Sequence, residues 1–557
     1  MKQILYLLLG CLIPFQFLTA KMYSSPERTP VDYVNPYIGN ISHLLVPTYP
    51  TVHLPNSMLR VYPERENFTG NTINGLPLIV TSHRGSSAFN LSPYQGELQK
   101  AGSIIQYGYD NEVIKPYYYS VDLDDDGMYV QYAPSHQSGI YQIDFSQTDK
   151  PAYLIFNTRN GELKTDGKSI SGYQKLGNHT QVYIYLETDQ QPLKIGTHQG
   201  AVIRTTDKST QGHNAYYILE YPKGTASVLL RYGVSFISSE QAKQNLRREI
   251  KNYNLQAVAD KGRSVWNETL GKIFVKGGTE NEKTVFYTSL YRTYERMICI
   301  SEDGRYFSAY DGQVHDDEGI PFYVDDWIWD TYRATHPLRL IIETEMESNM
   351  VNSLIRMAYQ MQPNWMPTFP EINGDSRRMN CNHGVATVLD AYNKGMRSFD
   401  LAKAYQVCKA AITEKTLAPW SSKPAGVLDQ FYKDHGYFPA LAVGEQETVP
   451  EVHSWERRQP AAVTLGTVYD EWCLGNIAQA LGDKKEADYH KIFNKETCFF
   501  HPKDSFGNFI QPFDYRYSSG VGGRDAYDEN NGWVYRWDLP HNVADLVNMM
   551  GGKERFV

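Results

Sequence analysis

Four stretches of this sequence set carboxylates directly beside tryptophans, tyrosines and amides. They are Asp325-Asp-Trp-Ile-Trp-Asp-Thr-Tyr-Arg333, Phe369-Pro-Glu-Ile-Asn-Gly-Asp375 running on to Asn380-Cys-Asn-His383, Tyr469-Asp-Glu-Trp472, and Asp528-Glu-Asn-Asn-Gly-Trp-Val-Tyr-Arg-Trp537. Such a mixture suits a neutral, hydroxyl-rich ligand: aromatic faces cover C–H patches, while Asp, Asn and His exchange hydrogen bonds with hydroxyls. Sugars fit that description. Cleaving a glycosidic bond takes one carboxylic acid to protonate the departing oxygen and a second group to activate water or attack the sugar. Glu529 is the candidate acid. The competing reading of Glu529 is a solvated acid at a helix start, with Trp533 and Trp537 as core residues behind it.

Other chemistries lack their signatures. Asp122-Leu-Asp124-Asp-Asp126-Gly127 copies half of a calcium-binding loop, but Ala133 stands at the twelfth position and a hairpin turn explains it better. Gly520-Val-Gly522-Gly523 lacks the spacing and the strand-to-helix setting of a phosphate cradle. There is no G-x-S-x-G elbow, H-E-x-x-H pair or Walker motif. Beyond Cys11, the five cysteines are scattered without a C-x-x-C pair, which indicates neither a disulfide framework nor a zinc site; Cys408 and Cys473 fall in apolar helical patterns as small core residues.

The elements that must position these residues fall into two regimes. A chain of 557 residues, 41% apolar, is too long for one ordinary domain. From about residue 30 to 236 apolar residues alternate, as in Val182-Ile184-Leu186 and Val228-Leu230-Tyr232, and turn signals stand at Asp126-Gly127, Asn160-Gly161 and Asp166-Gly167. This predicts an antiparallel β-sandwich. A polar helical stretch over 238–272 reads as a linker, and all nine tryptophans lie at Trp266 or later. Long helical patterns follow, including Glu282–Arg296, Glu343–Met361, Val385–Lys394, Leu401–Ile412 and Thr464–Leu481. Paired helices joined by aromatic loops over 280–557 suggest an α/α barrel with a site at one end.

The net charge of −9 is spread along the chain without a basic stripe, so nucleic acid is not an expected partner. Residues 1–20 read as a signal peptide, Met1-Lys2 followed by an apolar run ending at Thr19-Ala20. Leu9-Gly10-Cys11 resembles a lipoprotein box, so lipidation at Cys11 is the alternative to ordinary cleavage. The expected destination is the periplasm or the outer-membrane surface, with no membrane span.

Five ordered motifs resemble glycoside hydrolase family 92: Val34-Asn-Pro-Tyr-Ile-Gly39, Trp329-Asp-Thr-Tyr-Arg-Ala-Thr-His-Pro-Leu338, Met379-Asn-Cys-Asn-His-Gly384 with Asp390-Ala-Tyr392, Val468-Tyr-Asp-Glu-Trp-Cys473, and Glu529-Asn-Asn-Gly-Trp-Val-Tyr535. The resemblance implies a multidomain β + α protein: an N-terminal antiparallel β-sandwich, a helical linker and an (α/α)₆ barrel. It also implies calcium-dependent, inverting release of terminal α-linked mannose from N-glycans or mannans. Glu529 aligns with the family's general acid, Trp329 and Asp330 fall in a motif resembling part of the mannose subsite, and His383, in another family motif, is either a substrate contact or a satisfied structural histidine.

The match departs at Ile73-Asn-Gly-Leu-Pro-Leu78 and Ser82-His-Arg-Gly85, which bears on linkage preference, and at the C-terminus. The family continues through stretches of the N-E-P and G-Q-M-S-A-W type that resemble sources of calcium contacts, linkage selectivity and the general-base aspartates. An incomplete barrel, calcium ligands mostly beyond Val557 and at most trace hydrolysis are therefore the expectation for this sequence. The alternatives are a non-catalytic carbohydrate-binding remnant and an exo-glycosidase for another α-linked sugar.

Overall fold

The computed structural model describes residues 28–556 apart from 42–47, 66–68, 82–86, 124–126, 148, 483–489 and 517–524. The signal-peptide segment, Ser82–Gly85, the Asp124–Asp126 turn and the glycine cluster at Gly520–Gly523 lie outside the described residues.

In the N-terminal half, alternation of apolar residues becomes alternation of faces. Val182, Ile184 and Leu186 of the strand Thr180–Thr188 are buried, and the residues between them reach the surface. Fourteen strands among the described residues join one antiparallel sheet. The long strand Ala152–Thr165 holds it together. One edge pairs with Ser209–Tyr221; the other pairs first with Phe89–Tyr94 and then, from Gly161, with Ser169–Gly177. The sheet thereby splits into two layers. Buried tyrosines must place their hydroxyls somewhere, and here they link the layers: Tyr141 and Tyr232 donate to the carbonyls of Pro77 and Leu78, each at 2.6 Å, and Tyr107 to that of Pro93.

One predicted turn is corrected. Asn160-Gly161 lies inside the strand Ala152–Thr165, and a Cβ at Gly161 would sit 1.8 Å from the carbonyl oxygen of Tyr173. The glycine serves a close approach of neighbouring backbones rather than a turn. Asp166-Gly167 is a turn: the Asp166 carboxylate accepts from the amides of Lys168 and Ser169, and Gly167 has φ +88°.

The stretch read as a linker forms two helices, α1 (Ser239–Glu249) and α2 (Leu255–Leu270), packed on the sandwich. Ser238 caps α1, and Asn254 caps α2 by accepting from Ala257 N, which restarts the helix after a break at Ile250. Trp266 is fully buried and donates to His53 O at 2.7 Å. Then follow α3 (Glu280–Thr293), α4 (Ile328–Thr331), α5 (Thr335–Ile342), α6 (Thr344–Gln360), α7 (Gly384–Asn393), α8 (Leu401–Thr413), α9 (Val427–His435), α10 (Pro460–Leu481), α11 (Gly532–Tyr535), α12 (Val543–Met549) and α13 (Lys553–Phe556). The long helices lie within a few residues of their predicted bounds. Helices α6, α7, α8 and α10 bury Leu354, Val388, Val407, Cys408, Cys473 and Ile477 in a core continuous with that of the sandwich.

Candidate active site

Short helix α4 carries two of the candidate residues, and a buried polar cluster holds it in place. Asp326, fully buried, accepts from Thr331 Oγ1 on α4 at 2.8 Å and pairs with His336 Nε2 at 2.8 Å. The other ring nitrogen of His336 meets Glu347 of α6 at 2.7 Å. Burial opposes a charged ring, yet the two carboxylates outweigh it and push the His336 pKa up to about 10, so the ring is an imidazolium at neutral pH. In return, against the effect of its own burial, Asp326 is held below the usual carboxylate range. Asp325, with φ +66°, turns the other way and is ion-paired with Arg60 of the sandwich and with Arg296. The Arg296 guanidinium lies 3.8 Å from the Trp327 ring centroid, a cation–π contact.

From this base α4 projects Trp329 and Asp330. Trp329 is half-buried and donates Nε1–H to Asn380 Oδ1 at 3.3 Å. Asp330 reaches solvent, yet protein surrounds it closely enough that burial raises its pKa to about 7. The second cause is the negative charge of Glu529 and the third that of Asp326, with Arg296 opposing. The fold thus brings Glu529 and Asp330, from distant parts of the sequence, into electrostatic contact on a solvent-open surface. Glu529 is exposed and has φ +49°, while its neighbour Asp528 is fully buried with its carbonyl accepting from Tyr535 O–H at 3.1 Å. Behind them, Gly532 admits the close approach of Tyr515, whose Cβ would lie 2.5 Å from a Cβ at that position.

Of the two readings of His383, a sugar contact or a satisfied structural histidine, the structure fits the second. It is buried, its Nδ1 is paired with Asp470 Oδ1 at 2.7 Å, and its ring stacks on Tyr332 with centroids 4.1 Å apart. Asp470 also accepts from Asn382 N at 2.6 Å. The imidazole therefore lies beneath the surface residues, bracing the end of α4 against α10. Arg333 braces the same turn from outside, through Tyr332 O–H and Asp538. Asn380, Arg296, His336 and Glu347 were not singled out in the sequence; Asn380 and His336, like Asp326, lie inside quoted stretches, but nothing local marks Arg296.

A cavity of about 650 Å³ lies elsewhere, between the 440–458 loops and Phe513 and Tyr527, and includes neither Asp330 nor Glu529. A smaller one of about 170 Å³, between Tyr49, Arg292, Arg296, Trp327 and Thr331, opens beside α4. Among the described residues no three His, Cys, Asp or Glu side chains are grouped to hold a metal ion.

A β-sandwich is joined to a helical domain, and Asp330 and Glu529 influence each other electrostatically beside tryptophan and amide side chains. Residues 33–235 match the glycosyl hydrolase family 92 N-terminal domain and residues 241–557 the family's catalytic domain; the chain belongs to glycosyl hydrolase family 92. It is similar to a solved family GH92 inverting mannosidase from Bacteroides thetaiotaomicron, at 25% identity and TM-score 0.82, covering 96% of this chain and 74% of that one. A second solved structure, a family GH92 α-mannosidase of the same organism in complex with mannoimidazole, shares the fold at TM-score 0.81 and 21% identity, covering 95% and 73%. An Arthroderma benhamiae protein described as an uncharacterized secreted glycosidase is 22% identical over 645 residues, 98% of this chain and 75% of that protein. The helical domain is consistent with the barrel expected of the family. Among the described residues no helix is long and apolar enough to cross a membrane.

Proposed function

We propose that the protein is an exported, inverting α-mannosidase that releases terminal α-linked mannose from N-glycans or mannans, with Glu529 as general acid and Trp329 and Asp330 in the mannose subsite. The observation that carries this reading is that one buried side chain, Asn380, bonds to both Trp329 and Asp528, the neighbours in sequence of Asp330 and Glu529. The similarity to an inverting mannosidase supports the stereochemical part, and the apolar N-terminal run and the secreted relative support export.

In this reading the proton for which the Asp330 and Glu529 carboxyls compete resides on Glu529 in the complex. Glu529 donates it to the glycosidic oxygen as the bond to the sugar breaks, while a water attacks the anomeric carbon from the opposite face and gives its own proton to a general base. Asp330 accepts hydrogen bonds from sugar hydroxyls, and its negative charge stabilises the positive charge that develops on the ring. Trp329, fixed by Asn380, presents its indole to the C–H face of the sugar. Calcium dependence rests on the family resemblance alone; loss of activity on treatment with a chelator, restored by added calcium, tests it.

The test of the acid is Glu529→Gln assayed in the full-length protein on α-mannosides of graded leaving-group acidity. Loss of general acid catalysis typically costs about 10²–10⁴-fold, and substrates with poor leaving groups should show it in full. Activated aryl mannosides need little protonation and should be nearly spared. Equal loss on both, or none, overturns the assignment. Nuclear magnetic resonance of the first-formed anomer tests inversion, and a panel of other α-glycosides tests the sugar.

A further inference from the structure

Asn380 is 4% exposed, and all the hydrogen-bonding capacity of its carboxamide is engaged. Its Oδ1 accepts from Trp329 Nε1 at 3.3 Å and from Cys381 Sγ at 2.8 Å, and its Nδ2 donates to Gln459 Oε1 at 2.8 Å and Asp528 Oδ2 at 3.2 Å. The amide orientation follows from the chemistry of the partners: an indole N–H can only donate, which turns Oδ1 to Trp329 and leaves Nδ2 to donate to Asp528 Oδ2. A flipped amide would set N–H against N–H at one end and oxygen against oxygen at the other.

What this side chain joins gives it a further role. Trp329 immediately precedes Asp330, and Asp528 immediately precedes Glu529. Gln459, fully buried with φ +48°, is itself held by donating Nε2–H to Glu456. One buried amide therefore ties the sugar-facing turn to the segment bearing the candidate acid, at a point one residue from each functional side chain.

Resting on the reading of Glu529 as the general acid, we propose that Asn380 is a positioning residue that sets the Glu529 carboxyl against the sugar held at Trp329 and Asp330. Asn380→Asp preserves size and shape but replaces the donor facing Asp528 and Gln459 with a carboxylate oxygen. The two carboxylates then repel, and the Asp528–Glu529 segment shifts away from α4. Misplacement by about 1 Å can cost roughly 10²-fold in rate, and here the cost should fall on proton donation.

The experiment compares wild type, Asn380→Asp, Asp528→Asn and the exchanged pair Asn380→Asp/Asp528→Asn on α-mannosides with poor and with activated leaving groups. Asn380→Asp should lower kcat by roughly 100-fold on poor leaving groups and by less than about tenfold on activated ones, with KM little changed. Its ratio to wild type should rise as the pH falls and the two facing carboxyls come to share a proton. The exchanged pair restores one donor and one acceptor between positions 380 and 528, and should regain at least about tenfold. Uniform loss on both substrate classes, a pH-independent ratio, or additive losses in the exchanged pair would overturn the proposal. If Asn380→Asp does not fold, judged by circular dichroism, Asn380→Ser removes the tie to Asp528 without adding charge and must show the same leaving-group asymmetry. Glu529→Gln run alongside separates the two levels: if it lacks that asymmetry, the acid assignment fails and this inference with it; if it shows the asymmetry and the Asn380 variants do not, only this inference fails.

Discussion

Replacing His336 with Gln removes the cation from a site where two carboxylates, Asp326 and Glu347, are both fully buried. The neutral amide can donate to one of them at a time, which leaves the other as a buried anion without its partner. The folded pKa of His336 is about 10 against an ordinary 6.5, and a difference of that size corresponds to about 5 kcal/mol. This agrees with roughly 3–5 kcal/mol for removing one partner of a buried pair. The depressed pKa of Asp326 describes the same interaction from the other side and is counted once. The sign follows from linkage: because the folded pKa is raised, the contribution is present in full below pH 6.5 and is lost as pH rises through about 10. Wild type and His336→Gln should therefore differ most near pH 6 and converge toward pH 10, when denaturation midpoints are followed by tryptophan fluorescence across that range. Because Asp326 also holds Thr331 of α4, the variant should lose activity at pH 7 even where it stays folded. A stability gap that stays constant from pH 6 to pH 10 would refute the imidazolium assignment, and an unchanged kcat in the folded variant would refute the claim that this cluster fixes α4.

The remaining predictions concern the surface above that cluster. Asp330→Asn should reduce affinity for mannose-derived inhibitors and flatten its pH dependence, since in the native protein binding should tighten as Asp330 ionises near pH 7; calorimetric titration between pH 5.5 and 8.5 measures this. Burial and Glu529 disfavour the Asp330 carboxylate, so the same substitution should raise the thermal midpoint at pH 8 more than at pH 5. Gly466→Ala would place a Cβ 2.1 Å from Cys381 Sγ and 3.4 Å from His383 Cε1, and should cost about 1–3 kcal/mol of stability along with activity. Shortening the opposing side chain by Cys381→Ala should recover part of that loss, as read by the thermal midpoint.

What could be read from the sequence, and what could not, divides along a physical line. The strand Thr180–Thr188 and helix α8 were legible because period two and period 3.6 are written in consecutive residues, which a single face of protein then buries. Asn160-Gly161 was misread because a glycine that lacks a side chain to permit a turn looks the same as one that lacks it to admit Tyr173 of the next strand; only the neighbour decides. The candidate site divides in the same way. Glu529 stood out by type, since a sugar ligand calls for acids and aromatics at the surface whatever fold presents them, whereas Trp329 and Asp330, in a similar stretch, were assigned by the family resemblance. The residues that hold them are chosen by partners distant in the sequence: His383 by Asp470, Asn380 by Trp329 and Asp528 together, His336 by Asp326 and Glu347. Any buried group with the right donors could serve in those places, so nothing about an asparagine or a histidine alone announces the role. This is why the predictions that best discriminate here alter donor and acceptor at fixed shape: they test the pairing, which the fold supplies and the sequence motifs leave unspecified.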